Sequence, residues 1–387
     1  MMAAIQGPRR PGTVLRACAL LLPFAFNAQA TQPLVYDVAI SGSPSTQVSF
    51  PALEGSYRVT VRMKGPKGTR VALLAEQRRL MAEDIELRGK TVVERTVMVN
   101  VRRPELGALP DNATGGTAVR LKPREVGSAS WDEKLSVEIV GGGQLVSVRA
   151  EPVIVPTLYL AGDSTVTDQA QSPSASWGQY LTRYFDQGIV VANHAESGET
   201  LKSFVTEQRF DKLLSTLTAG DWVMIQFGHN DQKIQWPQTY AEAATTYRSW
   251  LRTYIAEVRR RGATPLLVTS PERRNFDSEG HIRPTLADYA EAAREVAKEQ
   301  NVTLIDLNAM SIRIYEALGP AVAPSAFADG GNDKTHHNEY GARLLARAVI
   351  EGIRTSDLTL SGRLADHLAA DAGKFDPAKP TALTRRP

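Results

Sequence analysis

Apolar residues recur at every second position through the first third of the chain. Tyr57, Val59, Val61 and Met63 alternate with Arg58, Thr60, Arg62 and Lys64, which predicts a strand with one buried face. Val97, Val99 and Val101 repeat the period, as do Leu135, Val137 and Ile139. Gly141-Gly142-Gly143 then breaks the chain, and Leu145 to Val148 resumes the pattern. Short alternating strands at this spacing predict an antiparallel β-sandwich. Gln77 to Leu87 fits a helix or a strand equally well.

From residue 157 the period changes. Leu158-Tyr159-Leu160-Ala161, Ile189 to Ala192, Asp221 to Phe227, Pro265 to Thr269 and Val302 to Asp306 are short apolar runs, as expected of strands buried on both faces. Helical periods separate them: Trp177 to Phe185, Phe210 to Leu217, Leu286 to Glu299, Ala309 to Leu318 and Tyr340 to Ile353. Another helix carries Tyr247, Trp250, Leu251, Tyr254, Ile255 and Val258 on one face and stops at Gly262. Strand and helix alternating five times predict a parallel sheet with helices on both sides, an α/β domain. Pro152 and Pro156 mark the boundary between the two patterns, because a ladder does not continue easily through proline.

Composition alters this picture at the ends. Arg9, Arg10 and Arg16 precede the apolar run Ala17 to Phe26 and then Ala28-Gln29-Ala30. That order predicts an export signal over residues 1–30, with a small-x-small cleavage site, and a secreted or periplasmic protein. The run is too short to anchor the chain in a bilayer. Cys18, the single cysteine, lies inside this signal, so a mature chain would carry no thiol and no disulfide. The formal charge is +3, and without the three arginines basic and acidic residues balance at 42 each. Broad nucleic-acid binding, which needs a basic excess, is not expected. The expected layout is a signal over 1–30, a β-sandwich domain over 31–155, an α/β domain over 156–370 and a disordered tail over 371–387, rich in proline, alanine and charge.

Candidate chemistry gathers in loops that follow strands or close the α/β domain. Gly162-Asp163-Ser164 follows the first strand, where open α/β sheets place their ligand crevice. Taken alone these residues also suit an ordinary turn. Acyl transfer by serine needs a base, a group to orient that base, and donors for the oxyanion. His336 is the candidate base for Ser164. Asp333, three residues earlier, can reach the imidazole and fix its tautomer; alone, the same D-x-x-H spacing suits a solvated loop. His337 is read as structural. Gly198, after the second strand, can bring a backbone N–H close to a ligand. Asn230, after the third, can offer a side-chain N–H, and the Ser164 backbone N–H is the third donor.

Ser, Gly, Asn and Asp-x-x-His in this order resemble the four blocks of the SGNH, or GDSL-type, hydrolases. AGDSTVTD, SWGQYL, NHAESGETLKSF, IQFGHNDQK and THHNEYGARLLA are similar to the rhamnogalacturonan acetylesterases, over residues 157 to about 355. The β-rich region, with EGSYRVTVRMKG, resembles the N-terminal, galactose-binding-like domain of bacterial members. The resemblance implies a flavodoxin-like, three-layer domain with a five-stranded parallel sheet. It implies a triad of Ser164, His336 and Asp333, oxyanion donors at Ser164, Gly198 and Asn230, and neither cofactor nor metal. It implies a serine esterase that removes acetyl groups from a plant polysaccharide; a monomer is expected, and charge and hydropathy predict no nucleic-acid or membrane partner. His229, Trp177, Arg273 and Arg274 are candidate substrate contacts, with Lys202, Lys233 and Lys334 as further cations near the loops. Acetylated xylan, another short-chain acetyl ester, or polysaccharide binding without catalysis are the alternatives.

Overall fold

A computed structural model describes residues 35–40, 45–107 and 115–365. The expected signal at 1–30 and the expected tail at 371–387 lie outside the described residues.

The alternating segments form eight strands: β1 (Tyr36–Ala39), β2 (Gln47–Pro51), β3 (Gly55–Gly65), β4 (Arg70–Ala75), β5 (Arg79–Glu86), β6 (Gly89–Val101), β7 (Lys134–Val140) and β8 (Gln144–Pro152). They make two antiparallel sheets, ordered β1-β8-β3-β6 and β2-β7-β4-β5. Tyr57, Val59, Val61 and Met63 of β3 all point inward, joined by Val99, Val101, Leu135, Val137 and Ile139. The ambiguous segment at 77–87 is strand β5. Pairing with β4 decides it, from Arg70 opposite Glu86 to Ala75 opposite Arg79. Tertiary pairing here overrides a sequence that also suits a helix.

The remaining strands are β9 (Thr157–Gly162), β10 (Ser174–Ala175), β11 (Val190–Asn193), β12 (Trp222–Gln226), β13 (Thr264–Val268), β14 (Thr303–Ile305) and β15 (His337–Asn338). The helices are α1 (Trp177–Leu181), α2 (Leu201–Thr206), α3 (Arg209–Thr216), α4 (Arg248–Arg260), α5 (Ala287–Gln300), α6 (Leu307–Val322) and α7 (Glu339–Arg354). Five strands form one parallel sheet ordered β11-β9-β12-β13-β14. Every residue of β9, β11 and β12 is buried, because helices cover both faces. One face packs on α1, α6 and α7 through Leu160, Met224, Leu345 and Val349. The other packs on α2 to α5 through Tyr159, Val223, Tyr254 and Val296. From β9 the chain crosses first to β11 on one side and then to β12 on the other. The end of β9 is therefore the switch point of the sheet, where a crevice opens.

Polar contacts join the two regions. Arg79 Nε donates to Asp168 Oδ2 at 2.6 Å, both side chains being 1% exposed. Arg209 of α3 binds both oxygens of Glu125, at 2.9 and 2.6 Å. Among the described residues no helix is long and apolar enough to cross a membrane.

Candidate active site

The turn after β9 leaves no room for side chains. A Cβ on Gly162 would lie 2.6 Å from Val166 Cγ2 and 2.9 Å from the Gln226 carbonyl oxygen, so only glycine lets the chain fold back there. Asp163 Oδ1 accepts the Thr165 N–H and hydroxyl, each at 2.9 Å. Gln169 Nε2 donates to the Ser164 carbonyl at 2.7 Å. The serine is held at the rim with its side chain facing the loop before α7.

That loop carries Asp333 and His336. Asp333 Oδ1 accepts the backbone N–H groups of Thr335 at 2.7 Å and His336 at 2.8 Å, an Asx-type turn that stiffens the loop. Its second oxygen lies 2.8 Å from His336 Nδ1, and His336 Nε2 lies 2.9 Å from Ser164 Oγ. One continuous relay thus runs from carboxylate through imidazole to hydroxyl. Burial works against charge on Asp333. The His336 and Thr335 N–H groups and the imidazole outweigh it and hold the carboxyl below the usual range. An ionised Asp333 favours a proton on Nδ1 and leaves Nε2 free to accept from serine.

The loop after β11 lies beside that of β9: the Glu196 N–H donates to the Gly162 carbonyl at 3.1 Å. Gly198 has φ +86, a left-handed conformation that side chains strain. Asn230 Nδ2 donates to the Glu199 carbonyl at 3.0 Å, and Lys233 Nζ donates to Asn230 Oδ1 at 2.7 Å. The amide is thereby oriented, with one N–H committed and the other available.

Other expected site residues take different places. Trp177 is fully buried and its Nε1 donates to Gln226 Oε1 at 2.7 Å. That indole is part of the core and presents no face to a ligand. Arg274 is also mostly buried, and its guanidinium donates to the Gly331 carbonyl at 2.5 Å. It braces the loop that bears Asp333. Arg273 donates to Thr285 Oγ1 at 3.1 Å and to the His229 carbonyl at 3.2 Å. His229 is buried, its Nδ1 3.5 Å from Asp163 Oδ2. Burial works against charge on Asp163, but the His229 imidazole and the Thr165 donors hold its carboxyl below the usual range. Burial pushes neighbouring Asp231 up to about 7, and the Asp163 charge adds to it. His337, read as structural, is buried, with Nε2 2.7 Å from the Tyr315 hydroxyl. Burial pushes its imidazole down to about 3, so it stays neutral. Among the described residues no group of three His, Cys, Asp or Glu side chains is placed to hold a metal ion.

Gln169, Gln226 and Lys233, which hold the nucleophile turn and the Asn230 amide, were not singled out for these roles by the sequence. Gln169 directly follows AGDSTVTD, and Gln226 and Lys233 lie near the ends of IQFGHNDQK, where their residue types alone name no role. The available signal was weak: a glutamine is unusual at the buried end of an apolar strand such as β12.

A serine–imidazole–carboxylate relay at the switch point of a doubly wound parallel sheet defines a serine hydrolase. Residues 160–344 match the GDSL-like lipase/acylhydrolase family. The chain belongs to that family and is a carboxylic ester hydrolase. It is 40% identical over 230 residues to the rhamnogalacturonan acetylesterase RhgT of Bacillus subtilis, a match covering 56% of this chain and 96% of that one. It is 37% identical over 207 residues to YesY of the same organism, a probable rhamnogalacturonan acetylesterase, covering 53% and 95%. The crystal structure of protein YxiM from Bacillus subtilis shares the fold at a TM-score of 0.51 and 24% identity, covering 84% of this chain and 89% of that one.

Proposed function

We propose that this enzyme removes acetyl groups from the acidic backbone of rhamnogalacturonan outside the cytoplasm. The observation that carries the reading is the relay from Asp333 through His336 to Ser164 Oγ. Ser164 attacks the acetyl carbonyl while its proton passes to His336 Nε2. The tetrahedral oxyanion is met by the N–H groups of Ser164, Gly198 and Asn230. Collapse expels the sugar oxygen, which takes the proton from His336, and leaves the acetyl group on Ser164. A water then gives its proton to the same nitrogen and attacks the acetyl-enzyme; collapse releases acetate as His336 returns that proton to Ser164 Oγ.

The carbohydrate part rests on the similarity to rhamnogalacturonan acetylesterases and on the surface beside Asn230. Trp236 is 42% exposed and Ile234 72%, apolar side chains of the kind that sugar rings cover. Lys233 Nζ lies 4.0 Å from the Trp236 ring centre and brings a positive charge suited to a uronate backbone. The arginine-then-apolar start of the chain, read as an export signal, would deliver the enzyme to such a polymer. The test is acetate release from acetylated rhamnogalacturonan and acetylated xylan, with wild type beside Ser164→Ala. Faster release from the pectic polymer is expected, with a loss of at least about a thousandfold in the variant. Equal or faster release from xylan would replace the substrate, and full activity of Ser164→Ala would end the mechanism.

A further inference from the structure

We propose that Lys122, a residue of the β-rich region, positions the oxyanion donors of the α/β region, with Arg124 as a second hold. The inference rests on the donor roles assigned above to Gly198 and Asn230.

Lys122 and Arg124 lie on the segment between β6 and β7, which reaches over the start of α2. Lys122 Nζ donates to the Ser197 carbonyl at 2.7 Å, and Arg124 Nη2 donates to the same oxygen at 2.7 Å. That carbonyl and the Gly198 N–H belong to one peptide group. The group is planar and trans, so the two bonds point in opposite directions. Two cations drawing the Ser197 oxygen toward the β-rich region therefore aim the Gly198 N–H away from it. Charged donors on the oxygen also polarise the peptide and strengthen its N–H as a donor. Gly198 at φ +86 has no side chain to restrain it, so the restraint has to come from outside.

The second donor traces back to the same ammonium. Lys122 Nζ also pairs with Glu199, whose side chain is fully buried. Ser203 Oγ donates to that carboxylate at 2.6 Å, and Arg209 Nε lies 3.5 Å away. The Glu199 backbone carbonyl, in turn, accepts Asn230 Nδ2 at 3.0 Å. Lys122 thus fixes the residue before Gly198 and the residue after it, and through the latter the Asn230 amide. Its own backbone is anchored as well: the Lys122 N–H donates to Glu125 Oε2 at 2.8 Å, and Glu125 is bound by Arg209. The Arg124 Nε donates to Glu196 Oε1 at 2.9 Å, which keeps its guanidinium over Ser197.

The experiment uses the full chain and p-nitrophenyl acetate, measuring kcat and KM separately, with melting followed by circular dichroism. Lys122→Met is expected to lower kcat by about 10- to 100-fold with KM little changed, as for donors displaced without being lost. Lys122→Arg, which keeps the charge and the donors, should restore most of kcat. Arg124→Gln, at a side chain 57% exposed, should lower kcat by less, because Lys122 still holds Ser197. In an Asn230→Ala background the Lys122→Met loss should shrink, since one of its two routes is gone. Wild-type kcat in folded Lys122→Met, or no rescue by Lys122→Arg, overturns the proposal. If Lys122→Met does not fold, unchanged kcat in Arg124→Gln overturns it instead. Ser164→Ala and Asn230→Ala serve as controls. Full activity in those two defeats the assigned mechanism itself, whereas losses there with unchanged Lys122 and Arg124 variants defeat only the positioning role.

Discussion

Strands β3 and β9 show how differently the two regions use a buried strand. In β3 alternate residues face the core and the rest face outward. In β9 all six residues are buried. The antiparallel sandwich sends successive strands in opposite directions, so its connecting loops are divided between two ends. The parallel sheet ends every strand on the same edge, so the loops after β9, β11 and β12 come together there. Chemistry accumulates where strand ends accumulate. Ser164, Gly198 and Asn230 each follow a different parallel strand, and the β-rich region contributes single side chains that reach across.

Substitutions can sharpen this contrast. The largest effect is expected from Asp333→Asn, which keeps the shape but not the charge that fixes the His336 tautomer. A loss in kcat of about ten-thousandfold is expected with melting little changed. Asn230→Ala removes one of the proposed oxyanion donors and should lower kcat by about 100- to 1,000-fold. A rise in KM with kcat unchanged would show that Asn230 binds substrate rather than the oxyanion. In the sandwich the expected signature is reversed. Leu73 is fully buried, and Leu73→Ala should cost about 2–5 kcal/mol of stability in denaturant titration, with kcat of the folded enzyme unchanged. A large drop in kcat there would break the division of labour.

The smallest expected effect concerns pH. The Asp231 carboxyl is pushed up to about 7 in the fold, against about 3.9 in an unfolded chain. The folded state therefore holds this proton more tightly. The associated stability is complete below the unfolded value and is lost as pH rises toward the folded one. Asp231→Asn keeps an oxygen for the Leu201 N–H, which Asp231 Oδ1 accepts at 2.9 Å, and removes the titration. Its melting temperature relative to wild type should be higher at about pH 8 than at about pH 5, by about 2–4 °C per kcal/mol relieved. A constant difference across that range would show that Asp231 does not titrate there.

The sequence disclosed the parts that depend on local pattern. The period of β3 and the apolar run of β9 announced both architectures, and the order of Ser164, Asp333 and His336 announced the relay. It did not disclose what depends on distant partners. The segment at 77–87 became strand only because β4 lies beside it. Trp177, next to a site motif, looked available to a sugar, but its indole is needed in the core. Arg273 and Arg274 looked like free cations, yet their guanidinium groups satisfy the carbonyls of neighbouring loops. Lys122 carried no signal, because nothing in its surroundings along the chain indicates that Ser197 and Glu199 lie within its reach.

The short pair β10 and β15 sets Ala175 opposite His337, one residue from His336. It stitches the segment that follows the nucleophile to the segment that holds its base. Ala175 and His337 are both buried, so local opening of this stitch would part hydroxyl from ring and loosen the core beside it before the rest of the fold gives way. On warming, turnover should therefore fade before the helices do, and recover on cooling as the stitch closes.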